Sequence, residues 1–111
     1  MTDLAFVLAG GLGTRMRPIT YDIPKPLVPV NGKPMLEYVI EWLSSHGIKR
    51  VVLGVGYKHK MIEDHFGDGS DFGVEIIYSL EKEPLGTGGA IKNAEEFLDK
   101  TFVLKNADEI T

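Results

Sequence analysis

The amino-acid sequence predicts an α/β fold: a doubly wound, mainly parallel sheet of about four strands with flanking helices. Three observations predict it. Apolar runs alternate with amphipathic segments, the first apolar run stops at a glycine-rich turn, and 111 residues are enough for one small domain. Strand–helix–strand units of this kind join parallel strands through right-handed crossovers.

The predicted strands and helices alternate along the chain. Strands are predicted over residues 4–8, 50–55, 74–78 and 101–104, and the second and third helices over 58–66 and 88–98. The first helix is predicted to begin at Pro34, which suits the first helical position, and to end before Gly47, which suits the position after the C-cap. Residues 10–33 are predicted to form a long irregular loop with a tight turn at Asn31-Gly32.

Three polar or glycine-rich segments follow the predicted strands. Residues 10–15 follow the first strand, residues 81–89 follow the third, and Asp108 follows the fourth. In a Rossmann-like, doubly wound sheet, ligands bind beyond the carboxyl ends of the strands. We therefore expect these three segments to meet at one edge of the sheet.

Composition excludes several classes of function. The net charge of −4 argues against nucleic acid or an anionic membrane surface as a partner. The absence of cysteine excludes disulfides, thiol nucleophiles and zinc–thiolate sites. No apolar stretch approaches the ~20 residues needed to cross a bilayer, and the first apolar run lacks the flanks of a secretory signal, so a cytoplasmic location is expected.

The first glycine-rich segment is typical of a polyphosphate pocket. Gly10, Gly11 and Gly13 let the backbone approach an anion closely, and Arg15 and Lys25 supply cations. The segment is not a P-loop, because Gly13 is followed by Thr14-Arg15 rather than Lys-Ser or Lys-Thr. A tight strand-to-helix turn without a ligand remains the alternative for the glycines, as does a surface position for the cations.

A longer gapped motif resembles a known family. Gly10-Gly11-x-Gly13-Thr14-Arg15-x-x-Pro18-x-Thr20 is followed by Pro24-Lys25-Pro26 and later by Glu81-x-Glu83-Pro84-Leu85-Gly86-Thr87. Together these strings resemble the sugar-phosphate nucleotidyltransferases, and most of all guanylyltransferases for mannose 1-phosphate or a manno-heptose 1-phosphate. The resemblance implies transfer of a nucleotidyl group from a nucleoside triphosphate to a sugar 1-phosphate, with release of pyrophosphate.

The resemblance also implies roles for individual residues. Arg15 and Lys25 are expected to be catalytic, because they would neutralise charge on the phosphates, and Asp108 is expected to hold Mg²⁺. The expected nucleotide-binding residues are Leu8, Ala9, Gly10, Gly11, Gly13, Thr14, Glu81, Pro84, Gly86 and Thr87. A turn or cap position without metal is the alternative for Asp108.

Glu81 is the residue expected to select the base. By resemblance it stands where thymidylyl- and uridylyl-transferring relatives carry glutamine. A carboxylate only accepts hydrogen bonds, and guanine offers two adjacent donors, N1–H and N2–H₂, so Glu81 favours GTP. Two alternatives remain at this point: a thymidylyl- or uridylyltransferase, and a solvated loop charge at Glu81.

Two departures from the family pattern leave rival hypotheses open. Ala107 stands where the family usually has glycine, so alanine is expected to crowd the nucleotide or reshape the turn. The chain is about half the usual length, which makes residues 1–111 a nucleotide-binding part and predicts weak or absent turnover by this chain alone, because contacts to the acceptor are missing. The rivals are a non-catalytic nucleotide-binding or regulatory module and a half that self-associates as a homo-oligomer through an open sheet edge.

Overall fold

The computed structural model describes residues 2–10, 23–83 and 85–107. Within these ranges the chain forms six strands and three α-helices. The strands are β1 (Leu4–Ala9), β2 (Pro29–Val30), β3 (Lys33–Pro34), β4 (Arg50–Val55), β5 (Glu75–Leu80) and β6 (Val103–Asn106). The helices are α1 (Met35–Ser45), α2 (His59–Phe66) and α3 (Gly86–Asn93).

Four of the strands form one parallel sheet in the order β5-β4-β1-β6. Each adjacent pair is parallel, and the register places Leu8 beside Gly54 on one side and beside Asn106 on the other. All four strands therefore end at the same edge. The predicted four-stranded, doubly wound α/β fold is confirmed.

Helices cover both faces of the sheet, as alternating side chains require in a parallel sheet that is buried on both sides. On one face, Ala5, Val7 and Leu53 pack with the apolar side chains of α1 and α2. On the other face, Leu4, Phe6 and Val52 pack against Ala90, within α3, and Ala94, just beyond its end. No helix in the described ranges is long and apolar enough to span a bilayer.

The segment between β1 and α1 contains an unpredicted hairpin. β2 and β3 pair antiparallel, with Val30 opposite Lys33. Asn31 (φ 52°) and Gly32 (φ 80°) both have positive φ, as a two-residue hairpin turn demands. The tight turn at Asn31-Gly32 was predicted, but its flanking residues are strands rather than irregular loop. Pro34 closes this hairpin and caps α1 instead of occupying its first turn.

The third helix is shorter than predicted. α3 ends at Asn93, and a separate 3₁₀ turn follows over Glu95–Phe97. The Asn93 side chain donates to the carbonyl oxygen of Leu80 at 3.0 Å, which ties this end of the helix to β5. Helical spacing alone could not predict the break, because apolar residues continue at the same period through both segments.

Candidate functional site

A cavity of about 440 Å³ opens at the edge where the four strands end. It is bounded by the ends of β1 and β6, the 3₁₀ turn over Lys25–Leu27, the residue after β5 and the first turns of α3. Its lining residues are Leu8, Ala9, Gly10, Lys25, Pro26, Glu81, Leu85, Gly86, Thr87, Ala90, Asn106 and Ala107.

The cavity brings together every predicted site residue that the structure describes. Seven of them line it: Leu8, Ala9, Gly10, Lys25, Glu81, Gly86 and Thr87. The other six predicted residues lie outside the described ranges: Gly11, Gly13, Thr14, Arg15, Pro84 and Asp108. Segments more than 70 residues apart in sequence therefore converge on one space, as the strand-end argument predicted.

One row of the sheet forms the base of this region. The register aligns Ser79, Gly54, Leu8 and Asn106 across the four strands, one residue before the last paired position of β5, β4 and β1. Alternation places this row on the same face as Phe6 and Val52, the face that α3 covers. The row has a gap at Gly54, which has no side chain.

The carboxylate of Glu81 fills that gap. A Cβ atom built on Gly54 would lie 2.7 Å from Glu81 Oε2, and one built on Gly10 would lie 2.8 Å from Glu81 Oε1. The residue is only 7% exposed, so Glu81 is not a solvated loop charge. Within the described ranges, its carboxylate has no hydrogen-bond or ion-pair partner.

Burial raises the pKa of the Glu81 carboxyl above its ordinary value. The direction follows from desolvation, because removing water from around a carboxylate disfavours its charged form. The residue lines the open cavity, where N–H donors of a ligand can bond to the carboxylate oxygens. Glu81 is thus a candidate binding group at the wall of the cavity.

Two prolines hold the backbone around Lys25. Pro24 is extended (φ −70°, ψ 151°), and Pro26, in the first turn of the short 3₁₀ segment, is buried. The fixed φ of proline limits the conformations available to the main chain on both sides of Lys25. Lys25 thus lines the cavity on a restrained stretch of backbone, which suits a cation that must meet a phosphate at a fixed place.

The start of α3 provides another part of the wall. Leu85, Gly86 and Thr87 line the cavity, and the N-cap residue Leu85 makes no side-chain capping hydrogen bond. The first N–H groups of a helix have no partner within the helix, and they attract anions. This side of the cavity is therefore compatible with an anionic ligand.

Five lining residues were not among the expected site residues, although Pro26, Leu85 and Ala107 had been noted for other reasons: Pro26, Leu85, Ala90, Asn106 and Ala107. Asn106 was signalled by its position two residues after the fourth predicted strand and two residues before Asp108, the predicted metal ligand. Ala90 and Leu85 carry no chemical signal of their own, since they contribute only shape. Their presence follows from how α3 docks on the sheet.

Ala107 continues the sheet by one residue. Its N–H donates to the carbonyl oxygen of Leu8 at 3.0 Å, and its side chain is 6% exposed in the core formed with α1 and α2. The methyl group is thus accommodated among apolar neighbours, while the residue still lines the cavity. Its effect on a bound nucleotide stays a prediction.

No group of three or more histidine or acidic side chains that could hold a metal is found within the described ranges. Asp108, the predicted magnesium ligand, lies outside them, and it directly follows Ala107 in the cavity lining. A carboxylate is the type of ligand that Mg²⁺ prefers. The chemistry of the residue fits the ion, and its geometry is not described.

Comparison with known proteins identifies relatives over nearly the whole chain. The model of the family described as nucleotidyl transferase matches residues 4–111. D-glycero-alpha-D-manno-heptose 1-phosphate guanylyltransferase of Campylobacter jejuni is 50% identical over 104 residues, which cover 94% of this chain and 47% of that protein. UTP–glucose-1-phosphate uridylyltransferase of Synechocystis sp. is 40% identical over 118 residues, covering 96% of this chain and 30% of that protein.

A solved structure is similar over the same part of the chain. The crystal structure of HddC from Yersinia pseudotuberculosis complexed with GMP-PN superposes with a TM-score of 0.83 at 40% identity. The match covers 96% of this chain and 48% of that one. The chain thus spans about half the length of HddC and of the heptose relative.

Proposed function

This chain belongs to the nucleotidyl transferase family, and on that premise we propose that residues 1–111 form the nucleotide-binding part of a sugar-1-phosphate guanylyltransferase. The proposed donor is GTP. The proposed acceptor is mannose 1-phosphate or a manno-heptose 1-phosphate, and the products are a GDP-sugar and pyrophosphate. The names of the heptose relative and the GMP-PN complex of HddC support this choice of base.

The position of Glu81 carries the proposal. Its carboxylate lies in the cavity wall, buried, with two oxygens and no described partner. Guanine N1–H and N2–H₂ are adjacent donors that match two carboxylate oxygens, whereas uracil and thymine present a mixed edge of donors and acceptors. Hydrogen bonds to a charged acceptor are among the stronger ones in proteins, so this group can discriminate between bases.

The proposed reaction is an in-line displacement. An oxygen of the sugar phosphate forms a bond to the α-phosphorus, the bond from that phosphorus to the bridging oxygen of the β-phosphate breaks, and pyrophosphate leaves with the electron pair. Such a step depends on positioning and on neutralising negative charge. Lys25 would meet the phosphates from the cavity wall, and Arg15 would neutralise the departing pyrophosphate.

The phosphate tail would be held near the start of the chain. Backbone N–H groups over residues 11–14 are proposed to surround it, with the start of α3 on another side of the cavity. Asp108 would hold Mg²⁺, which when bound screens phosphate charge and orients the leaving group.

Binding of nucleotides tests the proposal. Isothermal titration of this chain with GTP and with UTP, each with and without Mg²⁺, should give affinity for GTP about 10- to 100-fold above that for UTP. Tighter binding of UTP would replace the proposal with the uridylyltransferase alternative, which the Synechocystis relative favours. Absence of binding to both nucleotides would remove it.

Turnover separates an enzyme from a binding module. The complete product of the gene should release pyrophosphate from GTP when mannose 1-phosphate or a manno-heptose 1-phosphate is added. If GTP binds but no sugar phosphate yields pyrophosphate, the non-catalytic module is the better description.

A further inference from the structure

Gly54 lies inside β4, between β1 and β5, and it is the one glycine within the described strands. Glycine weakens a strand because it lacks a side chain to pack, so an internal glycine usually marks a place where another group approaches the backbone closely. We therefore expect another group to lie close to the backbone of Gly54.

That neighbour is Glu81. A Cβ atom on Gly54 would lie 2.7 Å from Glu81 Oε2, a distance at which one of the two groups must shift. The next closest atoms belong to Phe6, whose Cζ and Cε1 would lie 3.2 and 3.3 Å away. The carboxylate of Glu81 thus occupies the volume that any other residue at position 54 would fill.

The carboxylate is the part that would move if position 54 carried a methyl group. The backbone of Gly54 is held by strands on both sides, paired with Leu8 and with Ser79. Phe6 is fully buried in the core on this same face of the sheet, where close packing leaves little room for it to shift. The end of the Glu81 side chain, by contrast, borders open space, because Glu81 lines both the main cavity and a neighbouring one of about 420 Å³.

We infer that Gly54 is a positioning residue for base selection: its missing side chain lets the Glu81 carboxylate rest on the sheet, at the wall of the cavity that an incoming base would enter. The part of this inference that concerns guanine rests on the proposed function. Gly10 flanks the same carboxylate, but it lines the nucleotide cavity itself, so Gly54 is the cleaner position to test.

A first test needs no nucleotide. In the wild-type chain, a ¹³C-detected titration of the Glu81 carboxyl should show its pKa raised by burial. In Gly54→Ala the displaced carboxylate becomes more exposed, so its pKa should move back toward the ordinary value. An unchanged Glu81 signal and pKa in a folded Gly54→Ala variant would overturn the inference.

A second test measures the base preference. Gly54→Ala should lower affinity for GTP by about 10- to 100-fold, as expected for the loss of one or two hydrogen bonds to a charged group. Affinity for UTP should change by no more than about twofold. Equal losses for GTP and UTP would indicate general damage to the cavity and would contradict the inference.

A double-mutant cycle tests whether Gly54 acts on GTP binding through Glu81. With Glu81→Ala as background, Gly54→Ala should have no further effect on affinity for GTP, because the group that it displaces is absent. A full additional loss in that background would show that Gly54 acts through Phe6 or the strand, and would reject the inference.

Val52→Ile is the matched control. It adds one methyl group to the same strand and the same face, one row further from the strand ends, where Val52 packs in the core with Phe6. It should lower the melting temperature, since extra volume in a packed core is destabilising, yet leave the Glu81 pKa and the base preference unchanged. If Val52→Ile alters them as Gly54→Ala does, the effect belongs to core packing.

The two proposals fail separately. If wild type binds no nucleotide but Gly54→Ala still moves the Glu81 carboxyl, the proposed function fails and the positioning role stands. If wild type prefers GTP and Gly54→Ala keeps both that preference and the Glu81 pKa, the positioning role fails and the function stands.

Discussion

The backbone N–H of Glu81 donates to the carbonyl oxygen of Val55 at 2.7 Å. This bond continues the β4–β5 pairing one residue beyond Leu80 and holds the Glu81 main chain at the strand ends. A side chain that starts there can reach back over Gly54, as the carboxylate does. The placement of the candidate base-selecting group is thus an outcome of sheet register as much as of residue type.

Replacing Glu81 by glutamine should weaken GTP binding. Glu81→Gln exchanges one acceptor oxygen for a donor NH₂, which cannot pair with both guanine donors. We expect affinity for GTP to fall by about 10- to 100-fold and affinity for UTP to hold or rise. Titration calorimetry measures both. Glu83→Gln, an exposed change of the same chemistry in the same loop, is the control and should alter neither value.

Affinity for GTP should increase with pH through the raised pKa of Glu81. Below that pKa the carboxyl is protonated and has lost part of its acceptor capacity, so Glu81 contributes least to the affinity for GTP there. UTP carries the same phosphate tail, so the ratio of the two affinities isolates the base. A ratio that stays constant from pH 4 upward in about half-unit steps would argue against Glu81 as the base contact.

The stability of the fold should decrease with pH over the range in which the affinity for GTP increases. Because the folded state holds the carboxyl proton more tightly than the unfolded state, the free energy of unfolding falls as pH rises from the ordinary pKa through the raised one. Glu81→Gln removes this contribution. Urea unfolding of both chains across this range would show the difference between them change with pH, and parallel curves would contradict the burial argument.

Lys25 is expected to bind the triphosphate rather than the base. Lys25→Met removes a cation from the cavity wall while keeping a similar length, so affinity for GTP and for UTP should both fall, by about 10- to 100-fold. The salt dependence of binding should become weaker as well. Lys60→Met, at an exposed position of α2 outside the cavity, is the matched control. A change in the GTP:UTP ratio instead would assign Lys25 to base recognition.

Tyr78 should contribute stability that is lost in alkali. Its hydroxyl donates to the carbonyl oxygen of Gly67 at 2.7 Å, and desolvation raises its pKa to about 12. The unfolded chain therefore loses this proton first, and stability falls as pH rises from about 10 through 12. At neutral pH Tyr78→Phe should cost about 1 kcal/mol. That deficit should shrink from pH 10 upward, and a constant deficit would contradict it.

Two glycines with similar φ allow the stability cost of backbone strain to be measured apart from that of a steric collision. Gly69 (φ 86°) and Gly32 (φ 80°) both sit in the left-handed region. A Cβ on Gly69 would lie 2.6 Å from Ile76 Cγ1, whereas one on Gly32 meets nothing within 4 Å. Gly32→Ala should cost about 1–2 kcal/mol from strain alone. Gly69→Ala should cost more, and equal melting temperatures for the two variants would show that the collision is relieved without cost.

Much of the fold was predictable because the relevant signals are local. The run Arg50–Val55 was predicted with its observed bounds, since continuous apolar residues bounded by polar ones have few alternatives in a parallel sheet. Gly47 has a φ of 89° just after α1, as its residue type suggested. The end of α3 at Asn93 was not predictable, because apolar residues continue at helical spacing beyond it and the contact of Asn93 with β5 exists only in the folded chain.

The candidate site likewise has residues that the sequence could predict and residues that only the fold reveals. Glycines, Lys25 and Glu81 are residue types whose chemistry is visible in sequence, and the expectation that strand ends share an edge grouped them correctly. Gly54 was overlooked, because a glycine in a strand carries no chemistry until something is found in the space above it. Ala107 was expected to crowd the nucleotide or reshape the turn, and that expectation stays a prediction; the structure adds that its methyl group packs in the core.

The sequence by itself determined the α/β class, the four-strand count and the family, because periodicity and gapped motifs are properties of neighbouring residues. Only the tertiary structure decided that the Glu81 carboxylate is buried against Gly10 and Gly54 rather than solvated. The reason is physical: whether a charge is exposed depends on what the fold places over it, and here three strands distant in sequence meet at that point.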